Sequence, residues 1–272
     1  MQLQVGRIPF LVCAPFFHRF FTKNFQNDGL SFVDGVPSRL NKLLADGQIH
    51  LAPGSSFNYA LHPDRLVLAP NLCTSCNLEV QSVKLFSMLP IEQLGGKRIH
   101  LTAQSATSVA LLKILFKEYI GEIPEYVVDV PFSNLDSAKL LIGDEALLEG
   151  KRNAFPYSYD LGTLWQLWQH KPFVFGAWSI HRSALQGDLR KQLDCFLNEL
   201  EVSVAEFRKD PRTALGIWQE HYPNAFSVED LKAYYNVLDY SFTDERKESL
   251  SKFFELAKKI GLLESAPKLV FV

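Results

Sequence analysis

The sequence predicts an α/β fold of two lobes, with a helical C-terminal segment placed on the first lobe. Three observations lead there. Short β-prone runs alternate with helical periodicity through the first two thirds of the chain. Two apolar β-prone runs, over 80–87 and 173–180, suit crossings between lobes. From Asp188 onward the apolar residues recur at helical spacing. The boundaries expected are 1–84 for the first part of lobe one, 85–175 for lobe two, and 176–272 for the rest of lobe one with its C-terminal helices.

The elements follow in order. A short buried strand is expected over 5–11. Pro37 and Ser38 open a helix to residue 45, with Leu40, Leu43 and Leu44 on one face and Asp46-Gly47 as its stop. A strand over 49–52 leads to Ser55 and Ser56, either of which caps a short helix through residue 60, and a strand over 67–69 follows. Beyond the first crossing, Gly95-Gly96 precedes a strand over 98–102. Ser105-Ala106-Thr107-Ser108 then starts a helix toward residue 119, with Val109, Leu112 and Phe116 on one face. Strands over 126–130 and 140–143 and a helix over 161–170 complete the second lobe. In the tail, Leu189, Leu193, Phe196, Leu197, Leu200, Val204 and Phe207 form one long stripe, and three shorter helices are expected near 211–221, 228–238 and 244–261.

Composition bounds the chemistry. The 272 residues are 47% hydrophobic and 21% charged, enough for a sizeable core. The formal net charge of −2 supplies no field favouring nucleic acid or an anionic membrane, and neither is expected as a partner. Most of the 21 Phe read as core. The four Cys are irregularly spaced, and Cys73-Thr74-Ser75-Cys76 lacks the second ligand pair a zinc site needs, so reduced structural thiols are expected. The apolar run after Arg7 contains Pro9 and Pro15 and meets His18 and Arg19 without a cleavage site, so it is no export signal. No stretch approaches the roughly 20 apolar residues of a membrane span. A cytoplasmic protein is expected, without metal or cofactor, and a homodimer is kept as an open expectation.

Hydroxyl residues at helix starts are the strongest local signal. Ser38, Ser55, Ser56, Ser105, Thr107 and Ser108 all follow strands or turns. A helix N-terminus offers unpaired N–H groups and a partial positive charge, so a carboxylate can bind there without Lys or Arg. Ordinary N-capping explains any single case; three such starts in one chain favour at least one that faces a ligand. Asp144, at a strand end, reads equally as a functional carboxylate or a turn cap. The seven His form no metal or catalytic spacing, and P-loop, GxGxxG and GxSxG motifs are absent. Trp165, Trp168 and Trp178 read as core.

Ordered blocks of the sequence resemble a known family. Residues 5–16, from Val5-Gly6-Arg7-Ile8-Pro9 through Pro15-Phe16, are similar to the opening strand and turn of the futalosine-pathway chorismate dehydratases. Pro37-Ser38-Arg39-Leu40-Asn41 resembles their next helix start, and 49–60, 80–87, 101–112, 141–147 and 172–178 follow in order, covering roughly residues 5 to 182. The resemblance implies a two-lobed periplasmic-binding-protein-like (type II) fold. It implies a lyase that dehydrates chorismate to 3-[(1-carboxyvinyl)oxy]benzoate in menaquinone biosynthesis, with no cofactor. It also implies a ligand-facing Ser in the first crossing, here Ser82, as the catalytic candidate. Ser38, Asn41, Ser55, Ser56, Ser105, Thr107, Ser108 and Asp144 are the substrate-binding candidates, together with position 12. At that position the family carries Asn; this chain has Val12, which donates nothing, and Cys13 or Asn58 are the residues that could compensate. Two other readings are kept: the later pathway enzyme, 1,4-dihydroxy-6-naphthoate synthase, and a non-enzymatic binder of a small carboxylate.

Overall fold

The computed structural model describes residues 2–22, 29–128, 132–133, 135–212, 216 and 225–272. In chain order, β1 (Leu3–Arg7) leads through a 3-10 turn (Leu11–Cys13) to α1 (Ala14–Thr22), then β2 (Leu30–Asp34), α2 (Pro37–Ala45), β3 (Leu51–Ser55), α3 (Ser56–Leu61) and β4 (Leu66–Cys76). A second set follows: β5 (Val83–Ser87), β6 (Arg98–His100), α4 (Ala106–Leu115), β7 (Glu125–Val127), β8 (Ala138–Ile142), α5 (Gly143–Arg152), β9 (Tyr157–Asp160) and α6 (Leu161–Gln169). The chain then returns as β10 (Phe173–His181), α7 (Gly187–Lys209), α8 (Val228–Val237), β11 (Leu238–Ser241) and α9 (Asp244–Lys259).

Two sheets result. The first has six strands in the order β11-β4-β10-β3-β1-β2, the second five in the order β7-β6-β8-β5-β9. The windings around β1 and β6 are parallel: β1 pairs with β2 and β3, and β6 with β7 and β8. The strands nearest the passages between sheets are antiparallel, β10 against β3 and β4, and β5 against β8 and β9.

The Phe-rich composition is spent largely on the core. Phe16 meets Trp178 edge-on at 5.4 Å and Tyr240 at 5.1 Å. Phe173 does the same with Trp165 at 5.0 Å and Phe253 at 5.1 Å. Such rings bury large apolar areas at favourable edge geometry. The expected α7 stripe is buried at Leu189, Leu193, Phe196, Leu200, Val204 and Phe207 and packs on α1. Trp165 and Trp178 are fully buried.

Several expectations shift. The run over 80–87 is not itself the passage: β5 lies wholly in the second sheet, and the link 77–82 carries the chain across. Likewise β10 pairs along its length with β3 and β4, so the return is complete before residue 173. An apolar β-prone run marks a buried strand but not the sheet it joins. The strand expected over 67–69 extends to Cys76: Pro70-Asn71 falls where the register with β10 shifts, a place that tolerates proline. The Cys73–Cys76 motif therefore lies inside a strand. Leu238, expected to end a helix, starts β11, whose alternate residues Leu238 and Tyr240 are buried. β2 and β9 were not anticipated. The helix expected near 211–221 falls mostly outside the described residues, as does the end of the strand expected over 126–130. No helix among the described residues is long and apolar enough to cross a membrane.

Candidate active site

Both sheets contribute to one cavity. Its lining comes from the segment after β1 (Ile8, Phe10, Val12, Cys13), the ends of β3 (Gly54, Ser55) and of the β4–β10 pair (Thr74, Phe175, Gly176), the link before β5 (Val80, Ser82), the start of α4 (Ser105, Ser108) and the β8–α5 junction (Ile142, Gly143). The cavity and its open mouth together enclose about 600 Å³ of space between atoms. Among the described residues its lining contains no His, Asp, Glu, Lys or Arg. The titratable lining group is Cys13, whose thiol is pushed up from its ordinary value by burial and then by the nearby Asp144, so it stays neutral. A ligand here meets hydroxyls and backbone groups in an apolar setting.

One wall is built from hydroxyls at two helix starts that cap each other. Ser55, which precedes α3, accepts from the Thr107 N–H of α4 at 2.8 Å. Thr107 Oγ1 in turn accepts from the Phe57 N–H of α3 at 3.0 Å. The two hydroxyls lie 2.6 Å apart. Ser56 stands 3.2 Å from Thr107 and donates to the Val174 carbonyl at 2.8 Å. A helix start normally satisfies its free N–H groups with its own cap; here each helix takes its acceptor from the other, which ties the two sets of elements together. Ser105 is the ordinary N-cap of α4, accepting from the Ser108 N–H at 3.2 Å. The Ser105 and Ser108 hydroxyls are 2.9 Å apart. Two such hydroxyls need only one proton between them, so the other is free for a ligand oxygen.

Ser82 sits on a strained turn. Its N–H donates to the Val80 carbonyl at 2.7 Å across Gln81, whose φ of +61° is the geometry of a γ-turn. Asp160 holds that turn: its carboxylate accepts from Val80 N–H at 3.1 Å and Gln81 N–H at 2.7 Å. The same carboxylate caps α6 through Gly162 at 2.9 Å and Thr163 at 3.2 Å. Burial raises the Asp160 pKa from its ordinary value, opposed by these N–H donors and by Lys84. The Ser82 carbonyl accepts from Gly143 N–H at 2.7 Å. Gly143 itself has φ +58°, and a side chain there would meet the Phe10 ring at 3.1 Å, so position 143 must stay bare for the cavity wall to close.

A second part of the lining is the turn at 11–13, pinned from three places. The Leu11 N–H donates to Asp144 at 3.0 Å, Tyr235 donates to the Leu11 carbonyl at 2.8 Å, and Tyr240 donates to the Val12 carbonyl at 2.9 Å. With its backbone thus occupied, this turn presents the side chains of Val12 and Cys13 to the cavity.

Of the residues singled out from sequence, Val12, Ser55, Ser82, Ser105 and Ser108 share the cavity. Thr107 and Ser56 lie behind Ser55 in the hydroxyl knot. Ser38 is exposed at the second position of α2, whose cap is Val36 without a side-chain bond, so its hydroxyl serves neither cavity nor helix. Asn41 is buried, its Oδ1 directly behind Gly54, where a side chain would approach that oxygen to 2.5 Å. Asp144 is spent on the Leu11 N–H. Asn58 is buried in α3 and is not among the lining residues. Sequence reasoning missed Thr74, Phe10 and Phe175 in the lining and the supporting Tyr235 and Tyr240. Asp160 carried a helix-start signal, an acidic residue before Leu161-Gly162-Thr163. Among the described residues no group of three His, Cys, Asp or Glu could hold a metal ion.

A family model described as menaquinone biosynthesis matches residues 3–259. The chain belongs to the menaquinone-biosynthesis family. A curated relative, the chorismate dehydratase of Thermus thermophilus, is 36% identical over 206 residues, covering 67% of this chain and 75% of that protein. Among solved structures, a protein of Archaeoglobus fulgidus superposes with a TM-score of 0.75 at 20% identity, covering 96% of this chain and 98% of the other. The periplasmic aliphatic sulphonate binding protein of Escherichia coli superposes at 0.66 and 13% identity, covering 97% and 94%. These likenesses show the fold: this member of the menaquinone-biosynthesis family is a two-lobed protein of the periplasmic-binding-protein type.

Proposed function

We propose that the chain is a chorismate dehydratase, converting chorismate to 3-[(1-carboxyvinyl)oxy]benzoate and water on the futalosine route of menaquinone biosynthesis. The observation that carries this reading is the convergence of Ser55, Ser82, Ser105 and Ser108 on one apolar cavity in a chain of this family. The identity with the Thermus thermophilus chorismate dehydratase supports it.

The step is an elimination. The ring carbon bearing the ether loses a proton, its neighbour loses hydroxide, and the ring becomes aromatic. With no side-chain base among the described lining residues, the proton passes to the substrate's own enolpyruvyl carboxylate, and it leaves with the hydroxide as water. The chain supplies positioning and neutral donors: Ser105 and Ser108 for a carboxylate, and Ser82 for an oxygen whose charge grows as the C–O bond breaks. In a dry site such donors act more strongly than in water and need no reorganisation. Ser56, Thr107 and Asp144 act in this scheme from outside the cavity, Thr107 and Asp144 by holding its walls; Asn41 packs behind Gly54 and the exposed Ser38 takes no part. The division into lobes belongs to the same proposal, with the boundaries expected at 84 and 175 moved into the links 77–82 and 170–172 and closure of the lobes excluding solvent.

The test is incubation of the purified chain with chorismate, followed by chromatography and mass detection of the aromatic product one water lighter. Chorismate consumed to that product supports the reading. Chorismate bound but unchanged would favour a carboxylate binder, and unchanged and unbound chorismate would favour a later step of the pathway.

A further inference from the structure

We propose that Tyr234 is a positioning residue for the dehydration, fixing the Ser82 hydroxyl as a hydrogen-bond donor toward the substrate. This rests on the reading of the cavity as a dehydratase site. Tyr234 stands on α8, in the C-terminal segment, with 2% of its surface exposed. Its phenol donates to Ser82 Oγ at 2.9 Å, across 152 residues of sequence. Burial raises the phenol above its ordinary pKa, so it remains a donor throughout the working range.

The proton count follows. A serine hydroxyl has one proton and two acceptor sites. Tyr234 occupies an acceptor site, so the Ser82 proton must point elsewhere. Its one acceptor among the described residues, the Val80 carbonyl, is 3.3 Å away, a long and weak contact for a hydroxyl. A substrate oxygen in the cavity can take that proton at a better distance. Donation from Tyr234 also polarises the Ser82 hydroxyl, because hydrogen bonds in series strengthen one another in a low-dielectric site. No proton is transferred along the pair: both hydroxyls keep their protons through the elimination.

The neighbouring tyrosines sharpen the assignment. Tyr235 and Tyr240 donate to main-chain carbonyls, at Leu11 and Val12. Tyr234 alone of the three donates to a side chain that lines the cavity. Carbonyls would be placed by the fold in any case; a serine hydroxyl rotates freely unless something fixes it.

The experiment is a double-mutant cycle on the full-length chain with chorismate, measuring kcat, KM and melting temperature. Tyr234→Phe removes one oxygen and should lower kcat about three- to tenfold, the worth of one hydrogen bond, with KM little changed. In the Ser82→Ala background the same substitution should cost nothing further, because its target is gone. Tyr59→Phe is the control: it removes another buried phenol, bonded to the Lys268 carbonyl and not lining the cavity, and should lower the melting temperature while leaving kcat. Full additivity of Tyr234→Phe and Ser82→Ala overturns the proposal, as does an undiminished kcat in Tyr234→Phe. Should Tyr234→Phe fail to fold, site-specific 3-fluorotyrosine at 234 keeps the shape and strengthens the donor. It should raise kcat in the wild type and not in Ser82→Ala, and no change in the wild type overturns the proposal. A wild type inert toward chorismate defeats the dehydratase reading itself and this proposal with it.

Discussion

The two walls of the cavity are built on opposite plans. The wall at the α3 and α4 starts is polar and self-sufficient: Ser55 and Thr107 each satisfy the other helix's N–H, and Ser105 and Ser108 keep a hydroxyl proton in reserve. The wall at the 11–13 turn is apolar and dependent. Val12 and Cys13 donate nothing useful, and the turn is held by Asp144, Tyr235 and Tyr240 from distant parts of the chain. Ser82 lines the cavity from its own strained turn, held by Asp160 and Tyr234. The difference teaches that recognition and alignment are divided. Under the proposed reading one wall would grip an anion through its hydroxyls, and the other would set shape beside a single serine supported from behind.

That division can be broken at its supports. The largest effect is expected at Asp160, whose carboxylate serves both the 80–82 turn and the start of α6. Asp160→Ala leaves several N–H groups without acceptors and should cost about 2–4 kcal/mol in denaturant unfolding. It should also lower kcat, since Gln81 no longer holds its positive φ. Next is Thr107, fully buried between the two helix starts. Thr107→Val keeps the shape and removes the acceptor for Phe57, at a cost of about 1–3 kcal/mol in the same measurement. Because Ser55 loses its partner, chorismate KM should rise more than kcat falls. If Thr107→Val leaves KM untouched, the hydroxyl wall is structural only.

The third experiment converts the apolar wall toward the polar one. Val12→Asn adds a donor and an acceptor at nearly constant volume, facing the cavity. It should raise kcat/KM for chorismate by up to about tenfold, the value of one hydrogen bond in a dry site. A flat response would mean that the site is tuned to another carboxylate, and a loss would mean that Cys13 or its neighbours already fill the role.

How far these walls were legible in sequence follows from the range of the contacts. The Ser105 cap and the hydroxyl cluster after it are local, and so could be read from the residues themselves. The reciprocal use of Ser55 and Thr107 could not: the signal seen was two helix starts, each explicable alone. Tyr234, Tyr235 and Tyr240 reach partners 152, 224 and 228 residues away, and nothing in their local pattern distinguishes them from core aromatics. Asp144 was read as a carboxylate at a strand end, which it is, but its role is to hold the Leu11 N–H. Ser38 matched a family block, yet Pro37 at the first turn of α2 leaves it exposed. Strand identity was legible where strands are short and buried, as at β3 and β8. It failed where proline interrupts β4, because a bulge hides the continuity.

The smallest expected effect lies away from the cavity. His50 accepts from the Gln4 N–H at 2.8 Å, and burial, then the charge of His181, holds its pKa below 6.5. The native state therefore binds fewer protons here than the unfolded chain. Its contribution is present above pH 6.5 and lost as pH falls through the lower folded value. Denaturant midpoints measured between pH 7.5 and about pH 5 should decline, and His50→Gln should flatten that slope while leaving chorismate turnover in place. An unchanged slope would remove His50 from the balance.

The most direct test of the division between gripping and aligning is the initial rate of 3-[(1-carboxyvinyl)oxy]benzoate formation by the purified wild type and by Ser82→Ala, at saturating chorismate. The account predicts turnover by the wild type and a rate lower by roughly tenfold or more in the variant, with chorismate affinity retained because Ser55, Ser105 and Ser108 are intact. Equal rates in the two proteins, or no product from either, would contradict it.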